Sequence, residues 1–230
     1  VKNNRLAQKT ILKVIFMIAA SSCDSSIKMP NYLHTLNPES HCKGEYTMHN
    51  LNLITGNRSI SHNSLVPWLL LKEFKIPFSE ISIDLFGANV IEQLGLYSPS
   101  LKVPVLIHDD IKVWDSLPIC EYLSETFLEN QGWPRDLKKR AAARSICAEL
   151  HADFSYFKQQ WPMNCNLIMP GKPDARLERE IARLDAIMYC CRRKYGDGGP
   201  YLFGSFTIAD AFMMPFAIAL HGYGAQIAEK

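Results

Sequence analysis

Between Asn57 and Lys72 the chain reads NRSISHNSLVPWLLLK. Ser59, Ser61 and Ser64 offer hydroxyls, His62 an imidazole and Asn57 and Asn63 amides, all crowded ahead of a run that turns abruptly apolar. A polar loop at the leading end of a buried helix is a place to bind a ligand, because the helix's first N–H groups lack partners and its dipole is positive there. His62 has two readings: a base titrating near neutral pH, or a loop histidine that only hydrogen-bonds.

Three further segments have types and spacing of interest. Val103-Pro104 opens a strand after a loop, and a proline is disfavoured inside a sheet unless the chain needs its geometry. In thioredoxin-like folds such a proline follows a cis peptide bond and turns the preceding residue's N–H and C=O outward, toward an extended peptide. A plain strand-opening proline is the alternative. In WDSLPICEYL, Asp115 and Ser116 stand at a helix start, which reads either as a carboxylate-binding helix N-terminus or as a simple cap. In FTIADAFMMP, Thr207 and Asp210 have capping-box spacing, a structural device.

The elements that must position these residues follow from periodicity. LNLITG is a short strand, and Leu65, Trp68, Leu69 and Leu71 recur at helical spacing within a helix from Ser64 to Phe74. FSEISIDL is strand-like, Ala88 to Leu96 is a short helix, and VPVLIHDD with IKVWDS reads as a hairpin turning at Asp109-Asp110. A helix from Ser116 to Phe127 closes a small mixed sheet flanked by helices. After Glu129 strand signals vanish. One long helix is expected across DLKKRAAARSICAELHADFSYFKQQW, with Ala142, Ile146, Leu150, Phe154 and Phe157 on its inner face. A second is expected from Ala175 to Arg193, with Ile181, Leu184 and Met188 inward, ended by GDGGP through a left-handed glycine.

The 230 residues, 47% hydrophobic and 21% charged, suit a soluble globular chain. The formal charge of +2 comes from residues 1–47, so no concentrated basic face invites nucleic acid. No run approaches the roughly 18 apolar residues of a membrane-spanning helix. The seven cysteines are odd in number and scattered, without CxxC or metal-ligand spacing, as expected of reduced cytoplasmic thiols filling a core; no metal is expected. Residues 1–47 are read as a disordered extension, sequence upstream of a start at Met48, or a targeting segment, since a basic start, a short apolar run from Val14 to Ala20 and small residues outline a secretory signal.

The order of KVPVL, WDSLPICEYL and TIADA, with SISHNSLVPWLLLK ahead of them, resembles the cytosolic glutathione transferase family from about Leu51 to the chain's end. The hydroxyl loop is similar to the serine-type, zeta-like bacterial branch. The resemblance implies an α/β plus all-α architecture: a thioredoxin-like glutathione-binding domain over 48–128, then an all-helical domain over 129–230. That second domain looks truncated, because family members continue past HGYGAQIAEK.

It also implies an enzyme with glutathione as co-substrate, conjugating its thiol to a small apolar electrophile in detoxification, as a cytoplasmic homodimer. A glutathione-dependent isomerase of the maleylacetoacetate type and a non-catalytic glutathione-binding module are the alternatives. Ser61 falls on the catalytic hydroxyl, with Ser59 and Ser64 one alignment gap away. His62 and Asn63 replace the serine and cysteine of the zeta pattern. The glutathione site falls on Ser64, Lys102, Val103, Pro104, Asp115 and Ser116. Val103 meets the cysteinyl backbone, Ser116 the γ-glutamyl carboxylate, Asp115 the amino group and Lys102 the glycyl carboxylate. His151, Phe154 and Trp161, with Phe157 and Met163, are the candidates for a second-substrate cleft between the domains.

Overall fold

A computed structural model describes residues 50–225 and residue 227; the readings of residues 1–47 and of Met48 lie outside the described residues. The chain order is β1 (Leu51–Thr55), α1 (His62–Glu73), β2 (Ser79–Ser82), α2 (Val90–Tyr97), β3 (Val105–His108), β4 (Ile111–Trp114), α3 (Ser116–Phe127), α4 (Leu137–Ala152), α5 (Ser155–Gln160), α6 (Ala175–Tyr195) and α7 (Ile208–Gly222).

The strands form one mixed sheet in the order β2-β1-β3-β4, with β1 parallel to β2 and antiparallel to β3, and β3 antiparallel to β4. A parallel pair needs a crossover, which α1 provides; the hairpin needs only a tight turn, and Asp109 supplies it at φ 53°. Period-two alternation divides β1 between two cores. Ile54 packs with Ile83, Leu94 and Val105 on the face under α2. Leu51 and Leu53 join Leu106, α1 and α3 in a larger cluster that runs on through Trp133 to Phe212 and Phe216 of α7. This is a thioredoxin-like domain followed by a helical domain, sharing one apolar core.

Both helices at the junction are apolar all round, as elements walled in on every side must be. Ser64–Leu71 of α1 is buried throughout, and so is nearly all of α7. Each tolerates an internal proline, Pro67 and Pro215. At Pro67 the missing N–H leaves the carbonyl of Asn63 without its usual helical donor. The expected capping box is present: Thr207 Oγ1 donates to Asp210 Oδ2 at 2.8 Å, and the Thr207 N–H donates to the same oxygen at 2.9 Å. The Leu202 N–H also reaches Asp210, at 2.8 Å, so this carboxyl braces the preceding loop as well. Burial outweighs these bonds and raises its pKa to about 6.

Two expectations are corrected. The single long helix is two, α4 and α5, because Phe154 adopts the left-handed conformation at φ 60°. That break turns the inward face: Ala143, Cys147 and Leu150 are buried in α4, while Ala142 and Ile146 lie at the margin of the core. After α6, the expected left-handed glycine of GDGGP is Gly198 (φ 77°), which follows a right-handed Gly196 (φ −77°) and a left-handed Asp197 (φ 46°).

Candidate functional site

A cavity of about 650 Å3 opens where the two halves meet. Its wall is built from the loop before β3 (Ser100, Lys102, Val103, Pro104), from β4 and the start of α3 (Lys112 through Pro118), from Asn63 in the first turn of α1 and from His151 near the end of α4. The sequence expectation of Lys102, Val103, Pro104, Asp115 and Ser116 therefore falls on one wall, and His151 joins them across the junction.

Local bonds hold this wall in shape. Ser98 Oγ donates to the Lys102 carbonyl at 2.7 Å and accepts from the Lys102 N–H at 3.1 Å, closing the loop ahead of Val103. The Val103-Pro104 peptide is cis. The Pro104 carbonyl accepts from the Asp115 N–H at 3.3 Å, which ties the proline to the first residue of the α3 start.

Asp115 is the N-cap of α3 and sits at φ 76°, a conformation that strains an L residue and that only its surroundings can maintain. Its Oδ1 accepts from the Leu117 N–H at 3.3 Å and from Ser116 Oγ at 3.4 Å. His151 Nε2 approaches the same oxygen at 3.3 Å. The bond from His151, ahead of the N-terminal amides, holds the carboxyl below the usual aspartate range despite partial burial.

The start of α1 differs. Ser61 is its N-cap, with extended backbone and no side-chain bond to the helix amides. Its hydroxyl donates instead to Ser64 Oγ at 2.9 Å, which also accepts from the Gly56 N–H at 3.1 Å. Ser64 is fully buried and Asn63 exposed. The wall of the cavity therefore carries Asn63, while Ser64, expected at the glutathione site, braces the turn after β1. Ser59 is held by main-chain contacts, its carbonyl accepting from the Cys165 N–H at 2.9 Å.

His62 packs edge-on against Phe216 with ring centroids 4.6 Å apart. Its apolar surroundings, and then the nearby Lys158 and His151, push its pKa down to about 3, too low for a base working near neutral pH. Of the second-substrate candidates, Phe154 packs on Phe216 at 5.4 Å and Trp161 stacks on Tyr223 at 5.0 Å, with Phe157 and Met163 buried beside them. These four are core side chains, and only His151 reaches this cavity. Phe154 also borders a smaller, charged cavity of about 340 Å3 formed with Glu180 and Arg183 of α6.

Asn63, Lys112 and Trp114 were not expected on the wall. The i, i+2 spacing of Lys112 and Trp114 was the available signal, since it puts both on one face of β4. Among the described residues, no group of three or more His, Cys, Asp or Glu is placed to hold a metal ion, and no helix is long and apolar enough to cross a membrane. The described cysteines are free; Cys120, Cys147, Cys165 and Cys191 are buried and Cys190 is exposed.

A thioredoxin-like sheet with a cis-proline beside a helix N-terminus, facing a helical domain across a cavity, defines a thioredoxin-like fold with an appended helical half. Residues 60–126 match the family described as Glutathione S-transferase, N-terminal domain. Glutathione S-transferase 1 of Dianthus caryophyllus is 30% identical over 165 residues, covering 67% of this chain and 71% of that one. A probable maleylacetoacetate isomerase of Caenorhabditis elegans is 37% identical over 65 residues, 28% of this chain and 30% of that one. Among solved structures, a glutathione transferase homolog from Burkholderia with bound glutathione superposes with a TM-score of 0.54 at 23% identity, over 76% of this chain and 82% of that one. The chain belongs to the glutathione S-transferase family.

Proposed function

We propose that the protein binds glutathione in the 650 Å3 cavity and conjugates its thiol to a small apolar electrophile. The observation that carries this reading is the convergence of Val103, Pro104, Asp115 and Ser116 on one wall. Glutathione offers an α-ammonium and α-carboxylate at its γ-glutamyl end, a peptide backbone in the middle and a glycyl carboxylate at the other end. The start of α3, through its helix dipole and the Ser116 hydroxyl, suits the α-carboxylate. Asp115 suits the ammonium, the exposed Val103 backbone beside Pro104 suits the cysteinyl main chain, and Lys102 suits the glycyl carboxylate. The electrophile enters from the junction with the helical half.

Only a thiolate is a strong nucleophile, and a free thiol near pKa 8.5 is mostly protonated at neutral pH. Lowering it by ~2 units requires ~2.7 kcal/mol of preference for the anion. A hydroxyl donated from Ser61 to sulfur, backed by the N-terminus of α1, supplies that order of magnitude. For this the hydroxyl rotates away from Ser64, a change about one C–O bond, and the N-cap position leaves it near the helix's leading end. The reduced, buried thiols suit a cytoplasmic detoxifying enzyme. The exposed Ile111 on edge strand β4 suits burial in a homodimer.

The test is the thiolate absorbance of bound glutathione followed against pH in wild type and Ser61→Ala. The variant should raise the bound thiol's pKa and cut kcat while KM for glutathione barely changes. Unchanged turnover would exclude Ser61. The isomerase relative favours a second reading, a glutathione-dependent isomerase, which faster turnover of maleylacetoacetate-type substrates than of chlorodinitrobenzene-type ones would support. Retention on immobilised glutathione without turnover of any electrophile would point to a binding module.

A further inference from the structure

Resting on that reading, we propose that His151 is a positioning residue for the α-ammonium of the γ-glutamyl group: it clasps Asp115 across the domain junction so that the carboxylate presents a fixed, still-charged oxygen to the ligand. This moves His151 from the electrophile's side of the cavity to glutathione's.

The geometry of the carboxylate is the starting point. Among the described residues, the bonds from Leu117 N–H and Ser116 Oγ and the contact from His151 Nε2 fall on Oδ1, at 3.3, 3.4 and 3.3 Å, with the Ser116 N–H as a further donor to the carboxyl. None of these three contacts is made to Oδ2, and the side chain borders the cavity. A carboxylate whose contacts gather on one oxygen is prepared for one more donor at the other, and a primary ammonium provides three.

The imidazole suits this task for a second reason. His151 Nδ1 is buried and has no hydrogen-bond partner among the described residues. A buried N–H without an acceptor is costly, so the pairing that leaves least unsatisfied is a proton on Nε2, donated to Asp115, and a bare Nδ1. In that tautomer the ring orients Asp115 without cancelling its charge, which a lysine or arginine would do. Lys158 Nζ donates to the His151 carbonyl at 3.1 Å and so holds the end of α4 that carries the ring. The ring itself is set edge-on to Phe212 of α7, with centroids 6.1 Å apart. The clasp thus links the packing of α4 and α7 to the first residue of α3. The φ of 76° at Asp115 is what this outside hold helps to maintain.

The experiment compares glutathione with glutaryl-cysteinyl-glycine, the analogue that lacks only the α-ammonium, using the full chain and its His151→Leu, His151→Asn and His151→Gln variants. A glutamine amide reaches roughly where Nε2 lies, and an asparagine amide only as far as Nδ1. His151→Leu and His151→Asn should raise KM for glutathione ~10-fold, the loss of one charge-assisted hydrogen bond. Their kcat should stay near wild type, KM for the analogue should not move, and His151→Gln should restore KM for glutathione. If the variants raise KM for both ligands equally, His151 only staples the domains and the proposal is overturned. It is overturned as well if wild type does not discriminate between the two ligands, or if Gln behaves like Asn. If His151→Leu does not fold, the Asn and Gln pair carries the same decision. Failure of wild type to bind either ligand strikes at the glutathione reading itself, which separates that outcome from all the others.

Discussion

At the start of α3 the carboxylate of Asp115 is already fixed by Leu117, Ser116 and His151, whereas at the start of α1 the hydroxyl of Ser61 is given to Ser64 and the side chain facing the cavity is Asn63. Both are helix N-termini with the same dipole, but at α3 the Leu117 N–H is already bonded to Asp115 and Pro118 has no N–H, whereas the N-cap side chain of α1 caps no amide. In the proposed function one meets a charged peptide end whose shape does not change on binding, so rigidity costs nothing there. The other is proposed to meet a sulfur that gains charge when its proton leaves, for which a hydroxyl that rotates into place is sufficient. A helix N-terminus is therefore a generic anion site, and the side chains on its first two positions decide whether it is prepared or adaptable.

The strongest way to break this contrast is to remove the prepared carboxylate. Asp115→Ala deletes the ammonium's partner and the cap together, and KM for glutathione should rise about 10- to 100-fold, the range for a hydrogen bond to a charged group. Steady-state kinetics with varied glutathione measure it, and a KM within twofold of wild type would remove Asp115 from the site. Next in size is an acid-side effect at α1. The imidazole of His62 is pushed down to about 3 from 6.5. Below pH 6.5 the unfolded chain binds a proton that the folded chain refuses, so stability falls as pH drops toward 3 and is untouched above 6.5. The loss is about 2 kcal/mol at pH 5 relative to pH 8. His62→Gln should flatten that part of the profile in urea unfolding at the two pH values.

Ser61→Ala should lower kcat about 10-fold, the loss of one hydrogen bond to an anion, with KM for glutathione nearly unchanged. Asn63→Ala sharpens the comparison, because a larger kcat loss there than at Ser61 would transfer the sulfur's donor to the residue already on the wall. The smallest effect belongs to a third helix start, the capping box of α7, which lines neither cavity described above. Thr207→Ala should cost about 1 kcal/mol of stability and leave both kinetic constants alone; a melting experiment beside the kinetics checks this.

What the sequence disclosed depended on how local each signal was. Val103-Pro104, the helix opening at Ser116, the turn at Asp109 and the Thr207–Asp210 box are written in residues that impose or cap a backbone shape themselves, and the structure has them. The break at Phe154 was hidden because nothing in a bulky aromatic announces a left-handed residue, and apolar periodicity runs through it. Which serine turns inward was also hidden. Ser64 is chosen by the Gly56 N–H eight residues away, a contact that exists only once β1 and α1 have packed. His151 was singled out as part of a cleft, but its partner Asp115 could not be read, since pairing α4 with the start of α3 is a property of how the halves meet.

One modest contact bears on how this architecture can vary. The loop that carries Ser61 is stitched to the helical half by the main chain alone, Cys165 N–H to Ser59 C=O. Such a stitch does not itself depend on which side chains stand at 59 and 165, although the burial of Cys165 limits what can replace it. It is sensitive to a proline at 165, which has no hydrogen to give, and to any insertion or deletion between Gly56 and Ser61. The constraint that this bond places on the loop carrying Ser61 is therefore one of length and not of spelling.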